Sequence, residues 1–325
     1  MIEEIMTNLY KIEIPLPESP LKSLNSYVIK AQDRNLIIDT GMNREECLNA
    51  MISGLKKLAV DIKKTDFFIT HLHSDHLGLV SSLATDSSTI YFNQPDADRI
   101  KAGIFLDDLI GFARLNGFPE NELQTISYTH PGFKFRPKGN LDFYILKEGD
   151  TISISDYVFN CVETPGHTRG HMGLYEPSKK LFVGGDHILG DITPNVTLWS
   201  DEWNPLKEYL TSLDKVYKFD IELVLPGHRS IIKNCKERIQ ELKRHHQKRL
   251  EEIISILKKG KKNAFQIASQ MSWDIIYDSW DLFPVPQKWF ATGEAIAHLK
   301  YFEEKGMVRK EMREQRIIYS LDRNC

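Results

Sequence analysis

Three histidines and one aspartate fall within six residues of the chain, in the sequence THLHSDHLG at residues 70–78. Imidazole and carboxylate groups together are suited to binding zinc, iron or manganese. His71 and His73 are two residues apart and point the same way in an extended backbone, whereas Asp75 and His76 follow one turn later and can face a second point. Because one ion would leave ligands unused, the spacing indicates two adjacent metal ions. The alternative is a surface histidine cluster without function, in a chain with only 11 histidines.

Three further candidate ligands follow, each just after a predicted strand. His167 occurs in TPGHTRGH at residues 164–171, Asp186 in GGDH at 184–187, and His228 in PGH at 226–228. Strand ends in α/β folds converge on one edge of a sheet, so these side chains are expected near the first cluster. A buried Asp or His after a glycine turn is common, and each alone is a weak signal. Their joint occurrence, in this order, indicates one centre.

The elements that must position these residues alternate between strands and helices up to about residue 235, which is typical of an α/β domain. A helix is predicted at 45–58, and strands are predicted at 25–30, 36–39, 65–70, 151–164, 180–184 and 221–225. A segment at about 96–147 carries no chemical motif. Its first half, 96–116, is predicted as helix and the rest as irregular, so it is either a lid or a structural excursion.

The net charge and the predicted secondary structure of the sequence change after residue 235. Residues 236–325 contain 18 Lys and Arg against 13 Asp and Glu, a net charge of +5, whereas the remainder has a net charge of −8. Helices are predicted at 236–258, 264–271 and 293–305, followed by a hairpin at 308–311 and 316–321. Three helices and a hairpin are typical of a winged helix. We therefore predict two domains, 1–235, with a helical insertion at about 96–147, and 236–325.

Composition narrows the functional classes. The chain has 325 residues, 41% hydrophobic and 27% charged, and a net charge of −3, so no overall basic excess points to a nucleic-acid binder. Its four cysteines, Cys47, Cys161, Cys235 and Cys325, form no CxxC pair, which disfavours a disulfide framework or a thiolate zinc site. An acidic N-terminus and the lack of a membrane-length apolar run favour a cytoplasmic protein with no membrane partner.

The motifs HxHxDH, PGHTxGH, GGD and PGH, in that order, resemble the metallo-β-lactamase superfamily over about residues 20–235. The resemblance implies an αββα four-layer sandwich with a dinuclear site on one edge. It assigns His71, His73 and His167 to the first metal, Asp75, His76 and His228 to the second, and Asp186 to both as a bridge. Asp39, in the turn DTG at 39–41, matches a position whose carboxylate accepts the free ring N–H of a ligand histidine, although a plain turn aspartate is the alternative. His171 and His187 are expected to pack or hydrogen-bond nearby, and Cys161 is expected in the core.

The implied activity is metal-dependent hydrolysis. A hydroxide that bridges two divalent ions, with zinc favoured over iron or manganese, attacks an ester, thioester or lactone carbonyl in a small-molecule substrate, and Asp75 holds or accepts its proton. The flavodiiron branch carries a glutamate where His73 stands, and the first lactamase subclass a cysteine where Asp186 stands. Both branches are therefore disfavoured. The C-terminal pattern departs from the glutathione-binding helices of glyoxalase II, which puts a glutathione thioester in doubt.

Two other functions stay open. One is a metal-dependent endoribonuclease whose winged helix holds single-stranded RNA; the weaker one is a DNA-binding regulator with a vestigial site. In the candidate recognition helix, however, Glu294, Glu303 and Glu304 outnumber Lys300 and Lys305. The basic residues lie instead on the first helix and at 258–262. We therefore expect the C-terminal domain to have a structural, pocket-completing or dimerising role, the last in a homodimer.

Overall fold

The computed structural model describes residues 1–103, 106–274 and 276–322. The chain divides into two compact units, each built from three stretches. The first unit comprises 1–103, 131–194 and 212–239, and the second comprises 104–130, 195–211 and 240–325. The predicted insertion and the predicted C-terminal domain both supply residues to the second unit. Cys325, the end of that predicted domain, lies outside the described residues, and the division into domains at residue 235 stays a prediction.

The first unit contains a seven-stranded sheet whose strands follow the chain order. Its strands are β1 (Ile2–Met6), β2 (Leu9–Pro15), β3 (Ser23–Ile29), β4 (Asn35–Ile38), β5 (Thr65–Phe68), β6 (Ile90–Asn93) and β7 (Tyr144–Leu146). Strands β1 to β4 pair antiparallel, and β4 to β7 pair parallel. The strands predicted at 25–30, 36–39 and 65–70 are confirmed as β3, β4 and β5, with small shifts at their ends.

A second sheet of five strands, in the order β12-β11-β10-β9-β8, lies in the same unit. Its strands are β8 (Thr151–Ile154), β9 (Tyr157–Glu163), β10 (Met172–Glu176), β11 (Leu181–Gly185) and β12 (Leu223–Pro226). Neighbours pair antiparallel except β11 and β12, which are parallel. Because β11 and β12 are parallel, their C-terminal ends lie at the same edge of the sheet. Asp186 and His228, which follow these ends, are therefore brought to that edge.

The two sheets pack face to face. Alternate residues of the first sheet, among them Ile38 and Phe68, share one fully buried cluster with Phe159 and Val183 of the second. The intervening residues of the first sheet, such as Ile37, face a second cluster that includes helix α1 (Glu45–Lys57). Every residue of β4 and β5 is buried, so these strands do not alternate between apolar and exposed residues, whereas β2, nearer the edge of the sheet, does.

On the outer face of the second sheet, Tyr175 stacks on Phe219, with ring centroids 4.7 Å apart. The connection between α8 (Pro205–Val216) and β12 therefore covers that face. The other helices of the first unit are α2 (Ser74–Leu77), α3 (Val80–Leu83), α4 (Gln94–Ala102) and α7 (Pro131–Lys134). Helix α9 (Cys235–Leu257) begins in the first unit and has most of its residues in the second.

The second unit contains α5 (Leu106–Leu115), α6 (Glu120–Thr129), α10 (Ala264–Ala268), α11 (Val285–Glu304) and the hairpin of β13 (Val308–Arg313) and β14 (Arg316–Leu321). Residues 195–211 pack on α11. The backbone N–H of Leu198 donates to the Gly293 carbonyl at 3.1 Å, and Trp199 stacks on Trp289 at 3.8 Å between ring centroids. A Cβ at Gly293 would lie 2.8 Å from the Trp199 ring, so the close approach requires glycine.

Three expectations for the helices were wrong. The second half of the segment at 96–147 is predicted as irregular, but it contains α6 and α7. The prediction treats prolines there as helix breakers, whereas Pro119 caps α6 and Pro131 begins α7. The helix predicted at 293–305 is longer than expected, because α11 begins next to Pro284, where proline is well suited to the start of a helix. The helix predicted at 96–116 is two helices, since α4 ends at Gly103 in a left-handed conformation with φ of 75°; residues 104 and 105 lie outside the described residues.

Among the described residues, no helix combines the length and the apolar character needed to cross a lipid bilayer.

Candidate metal centre

The seven predicted metal ligands come together at one place in the first unit, where they follow the C-terminal ends of four strands. His71 and His73 follow β5, and Asp75 and His76 lie on the single turn of α2, for which His73 is the N-cap. His167 lies between β9 and β10, Asp186 directly follows β11, and His228 follows β12. The expectation that strand ends would bring these residues together is confirmed.

Three groups of side chains present ligand atoms that lie within 4.8 Å of one another. These are His71, His73 and His167; His71, His76 and Asp186; and Asp75, His76 and His228. The first and third groups are the two ligand sets that the resemblance implied. The second group links them, because it joins a histidine from each set to the expected bridging carboxylate.

In the first group, His73 lies between the other two rings. Its Nδ1 is 3.0 Å from His71 Nε2 and 2.9 Å from His167 Nε2. The three rings meet edge to face, with centroids between 4.6 and 4.8 Å apart. Two nitrogen atoms from one loop and a third from a residue 94 positions further along the chain therefore point at one small volume.

In the third group, His228 Nε2 lies 3.3 Å from Asp75 Oδ2, and His76 Nε2 lies 4.0 Å from the same oxygen. The Asp186 carboxylate reaches both groups. Its Oδ1 is 3.5 Å from His76 Nε2, and its Oδ2 is 3.6 Å from His167 Nε2 and 3.5 Å from His228 Nε2. Asp186 thus stands between the two sets of ligands.

Three of the polar atoms that face this centre lack hydrogen-bond partners within the protein. His76 Nε2, Asp186 Oδ1 and His228 Nε2 are fully buried and form no hydrogen bond within the protein. A buried polar atom without a partner is costly, so such atoms in a native protein require an explanation, an ion among them. Imidazole nitrogen and carboxylate oxygen are also the donors that zinc prefers. The residues present fit one or two divalent cations.

The charges of the site support the same conclusion. Burial lowers the pKa of His71 well below its usual value and that of His73 to about 3, so both rings are neutral and offer lone pairs. Burial opposes charge on His76 and His228 as well, but the neighbouring carboxylates outweigh it and raise the pKa of both rings. The Asp186 pKa is held well below its usual value against burial by His228 and His76. An ionised buried carboxylate surrounded by ring nitrogens attracts a cation.

Asp39 orients two of the ligands. The ring N–H at His76 Nδ1 donates to Asp39 Oδ2 at 2.7 Å, which leaves Nε2 free to bind an ion. The Thr70 hydroxyl donates to the same oxygen at 2.9 Å and accepts from His71 Nδ1 at 2.9 Å, so His71 also presents Nε2. The expectation that Asp39 accepts the ring N–H of a ligand histidine is confirmed, whereas the role of Thr70 was missed.

Glycine leaves room for the Asp186 carboxylate. A Cβ at Gly227 would lie 2.5 Å from Asp186 Oδ1 and 2.7 Å from His76 Cε1. Gly185, with φ of 47°, turns the chain sharply before Asp186, and a Cβ there would lie 2.7 Å from His171 Nε2. The glycines of the GGD and PGH motifs are therefore needed for the geometry of the centre.

His171 supports the centre without facing it. Its Nδ1 donates to the Thr164 hydroxyl at 2.7 Å, and its Nε2 accepts the backbone N–H of Asp186 at 3.1 Å. Both ring nitrogens are used, so His171 positions Asp186. The ring of His187 is fully buried 6.1 Å from that of His171, and Cys161 is in the core between the sheets. These three expectations are confirmed.

Asp96 is the main residue near the centre that the sequence analysis missed. It lies in the first turn of α4, is fully buried, and accepts hydrogen bonds from the backbone of Leu72, the hydroxyl of Thr168 and the backbone of Gly170. Burial raises the Asp96 pKa to about 6 despite these three donors. No sequence signal indicated it, because its donors are mostly backbone groups.

Comparison with known proteins gives the same family throughout. The family model for the metallo-beta-lactamase superfamily matches residues 21–228. The Probable metallo-hydrolase YqjP of Bacillus subtilis is 26% identical over 306 residues, which cover 90% of this chain and 91% of that protein. A metallo-beta-lactamase family protein of known structure from Thermus thermophilus superposes with a TM-score of 0.82 at 25% identity, over 98% of this chain and all of that one.

A fungal relative has a more specific name. The Atrochrysone carboxyl ACP thioesterase of Aspergillus fumigatus is 24% identical over 239 residues, which cover 73% of this chain and 60% of that protein. The chain spans less than two thirds of the length of several curated relatives that it matches. The range matched by the family model contains all seven residues of the centre. The chain belongs to the metallo-beta-lactamase superfamily, a family of hydrolases, and it has buried His and Asp groups able to bind metal.

Proposed function

We propose that this chain is a dinuclear metal-dependent hydrolase that cleaves an ester, thioester or lactone. The observation that carries the proposal is the position of Asp186, whose two oxygens lie 3.5 Å from His76 Nε2 and 3.6 Å from His167 Nε2. Those nitrogens belong to different ligand groups. A carboxylate between two groups of imidazoles suits a bridge between two cations better than a ligand to one.

In this proposal the first ion is held by His71, His73 and His167 and the second by Asp75, His76 and His228, with Asp186 shared. Zinc is favoured because the donors are imidazole and carboxylate, and iron or manganese are the alternatives. When bound, two such cations supply a water that ionises near neutral pH and polarise the carbonyl oxygen of the substrate.

The protein's own contribution is to hold the proton of the attacking water. Asp75 is ionised, because the neighbouring His228 and His76 rings lower its pKa against burial. Its carboxylate lies 3.3 Å from His228 Nε2. We assign Asp75 to accept the proton from the nucleophile and to return it to the leaving group. No serine or cysteine nucleophile is needed.

One relative supports a particular class of acyl substrate. A thioester is supported by the fungal relative that is named as an ACP thioesterase. Esters and lactones present the same electrophilic carbonyl and stay within the proposal. We propose a small molecule as the substrate and a cytoplasmic location.

For the C-terminal region, we propose a winged helix with a structural or dimerising role. The three helices and the hairpin predicted there are present as α9, α10, α11 and β13–β14. The candidate recognition helix, however, is buried at Trp289 and from Ala291 to Leu299. A helix that reads nucleic acid needs an exposed basic face. The endoribonuclease is therefore the weaker hypothesis.

Elemental analysis of protein purified without chelator, followed by a substrate panel, tests the proposal. We expect two metal ions per chain and hydrolysis of chromogenic esters, thioesters or lactones, lost on chelation and restored by zinc. Activity in thoroughly metal-stripped protein would contradict it. Phosphodiester cleavage together with a steep salt dependence of single-stranded RNA binding would favour the endoribonuclease instead, whereas a slope near zero would remove it.

A further inference from the structure

The loops that carry the first ligand group are joined by a buried carboxylate that binds no ligand side chain. Asp96 lies in the first turn of α4, where Asn93 caps the helix by accepting the Asp96 backbone N–H at 3.1 Å. The Asp96 side chain is completely buried. A carboxylate in such a place is stable only when hydrogen-bond donors replace water.

The first of its donors lies between two ligands. The backbone N–H of Leu72 donates to Asp96 Oδ2 at 3.0 Å, and Leu72 separates His71 from His73. The alternation of side chains that lets both histidines face one ion depends on the backbone at this residue. The hydrogen bond therefore holds the histidine pair at its midpoint.

The other two donors come from the loop of the third ligand. The Thr168 hydroxyl donates to Asp96 Oδ2 at 2.8 Å, and the Gly170 backbone N–H donates to Oδ1 at 2.9 Å. These residues closely follow His167. Gly170 also packs against the side chain of Asn93 so closely that a Cβ there would lie 1.9 Å from Asn93 Oδ1.

We infer that Asp96 is the positioning residue of the first metal-binding group, because it ties the His71–His73 segment to the His167 segment and so sets the distance between their rings. This inference rests on the proposed dinuclear function. Asp96 acts through backbone and hydroxyl groups rather than on the substrate or an ion. Loss of the Asp96 carboxylate should lower the affinity for one of the two ions selectively. Among the described residues, Asp75, His76 and His228 form no hydrogen bond with Asp96.

The variant that tests this is Asp96→Asn, which keeps the size of the side chain. One amide oxygen can still accept from Leu72 and Thr168, but the amide NH₂ then faces the Gly170 N–H, donor against donor. Removal of such supporting contacts typically weakens metal binding about 10–100-fold. Asp98→Asn is the matched control, because Asp98 is exposed on the same helix and contacts Gln94.

Zinc binding is measured by titration against a competing chromogenic chelator, which resolves two binding steps. We expect Asp96→Asn to weaken one step about 10–100-fold and leave the other within about twofold, with Asp98→Asn identical to the wild type. In a His228→Ala background the same change should weaken the remaining step, and in a His167→Ala background it should have no further effect. A general structural role would not produce this dependence on background.

Three outcomes would overturn the inference: unchanged binding in Asp96→Asn, equal weakening of both steps, or the same effect in both backgrounds. If Asp96→Asn does not fold, Thr168→Val tests the inference instead, because it removes one hydrogen-bond donor and keeps the Asp96 carboxylate. We expect the same zinc-binding step to weaken by a smaller factor. An unchanged affinity at that step overturns the inference. A wild-type chain that binds no zinc overturns the dinuclear function itself, whereas two ions in the wild type and two unweakened ions in Asp96→Asn overturn only the role of Asp96.

Discussion

Two parts of this molecule bury histidines, and only one of them has the features of a metal centre among the residues that the structure describes. In the first unit, ring nitrogens from several loops point at one another and at two carboxylates. In the second unit, His246 of α9 and His298 of α11 form a pair, with Nδ1 of the former 3.1 Å from Nε2 of the latter. Both rings are almost fully buried. Burial of histidine is thus the same in the two places, and the difference lies in what the nitrogens face.

In the pair, hydrogen bonds within the protein occupy three of the four ring nitrogens. The ring N–H at His298 Nδ1 donates to the Glu294 carbonyl at 2.8 Å, so its Nε2 accepts from His246 Nδ1. Of the four ring nitrogens, His246 Nε2 alone is left without a hydrogen bond. Within the described parts of the chain, every group of three potential metal ligands falls in the first unit. Convergence of lone pairs on a carboxylate, rather than burial, separates a site from a packed core.

The largest effect that can test this difference comes from Asp186→Ala. Because Asp186 joins both ligand groups, its loss should reduce bound metal below two ions per chain and lower turnover about 10³-fold or more, which corresponds to several kcal/mol of lost stabilisation of the transition state. Metal content is measured by elemental analysis and turnover on the best substrate of the panel.

The matched experiment in the second unit is His298→Leu, which should leave both metal content and turnover unchanged. If His298→Leu lost metal as Asp186→Ala is expected to, the distinction between the two histidine clusters would be wrong. Full metal content in Asp186→Ala would instead refute the bridging role of that carboxylate.

A smaller effect is expected from Asp39→Asn. Asparagine tolerates the left-handed backbone of this position, where φ is 57°, so the change removes charge without adding strain. The hydrogen bond that orients His76 is weakened, and the one through Thr70 to His71 with it. We expect metal affinity to fall about 10–100-fold, measured by chelator competition. Substitution of Asp66 by Asn, on the same sheet but paired with Arg34, is the control and should leave metal affinity unchanged.

The candidate metal centre could be predicted from the sequence because its predicted ligands are concentrated in short motifs at strand ends. His71, His73, Asp75 and His76 fall on one loop and turn, and the topology of two sheets brings His167, Asp186 and His228 to the same edge. Asp39 was assigned from the resemblance to the family, because the DTG turn at 39–41 matches a position known there. Local sequence and sheet geometry predicted that the seven residues lie together, and the resemblance supplied their roles.

The supporting residues could not be predicted in the same way. Asp96 acts through backbone N–H groups of Leu72 and Gly170, which any residue except proline provides, so no residue type marks its partners. The helices at 120–134 were missed because proline was treated as a breaker at positions where it begins a helix. His246 and His298 are 52 positions apart, and they meet only because α9 packs against α11. No local sequence pattern encodes that packing.

The pair itself should matter for stability rather than for activity. His298→Leu leaves His246 Nδ1 without its partner, and an unsatisfied buried polar group costs about 1–3 kcal/mol. We expect the free energy of unfolding in denaturant to fall by that amount in the metal-free protein. The control is His245→Gln, since His245 is partly exposed, and it should change stability by less than about 0.5 kcal/mol. An equal loss in both variants would show that the pair has no special role.

The smallest expected effect concerns pH. Burial lowers the pKa of His246 well below its usual value and that of His298 below it too, so both are neutral in the folded protein while their unfolded counterparts take up protons below about pH 6.5. The unfolded state then binds more protons, and the free energy of unfolding falls as the pH falls through this window, by up to about 1.4 kcal/mol per pH unit for each ring. His298→Leu removes one of these rings and leaves the metal ligands as they are. The difference in slope between wild type and variant, measured on metal-free protein from about pH 6.5 downwards, should therefore approach that of one proton. Equal slopes would mean that His298 is already charged in the folded state, and the pair would then differ from the metal centre less than its geometry indicates.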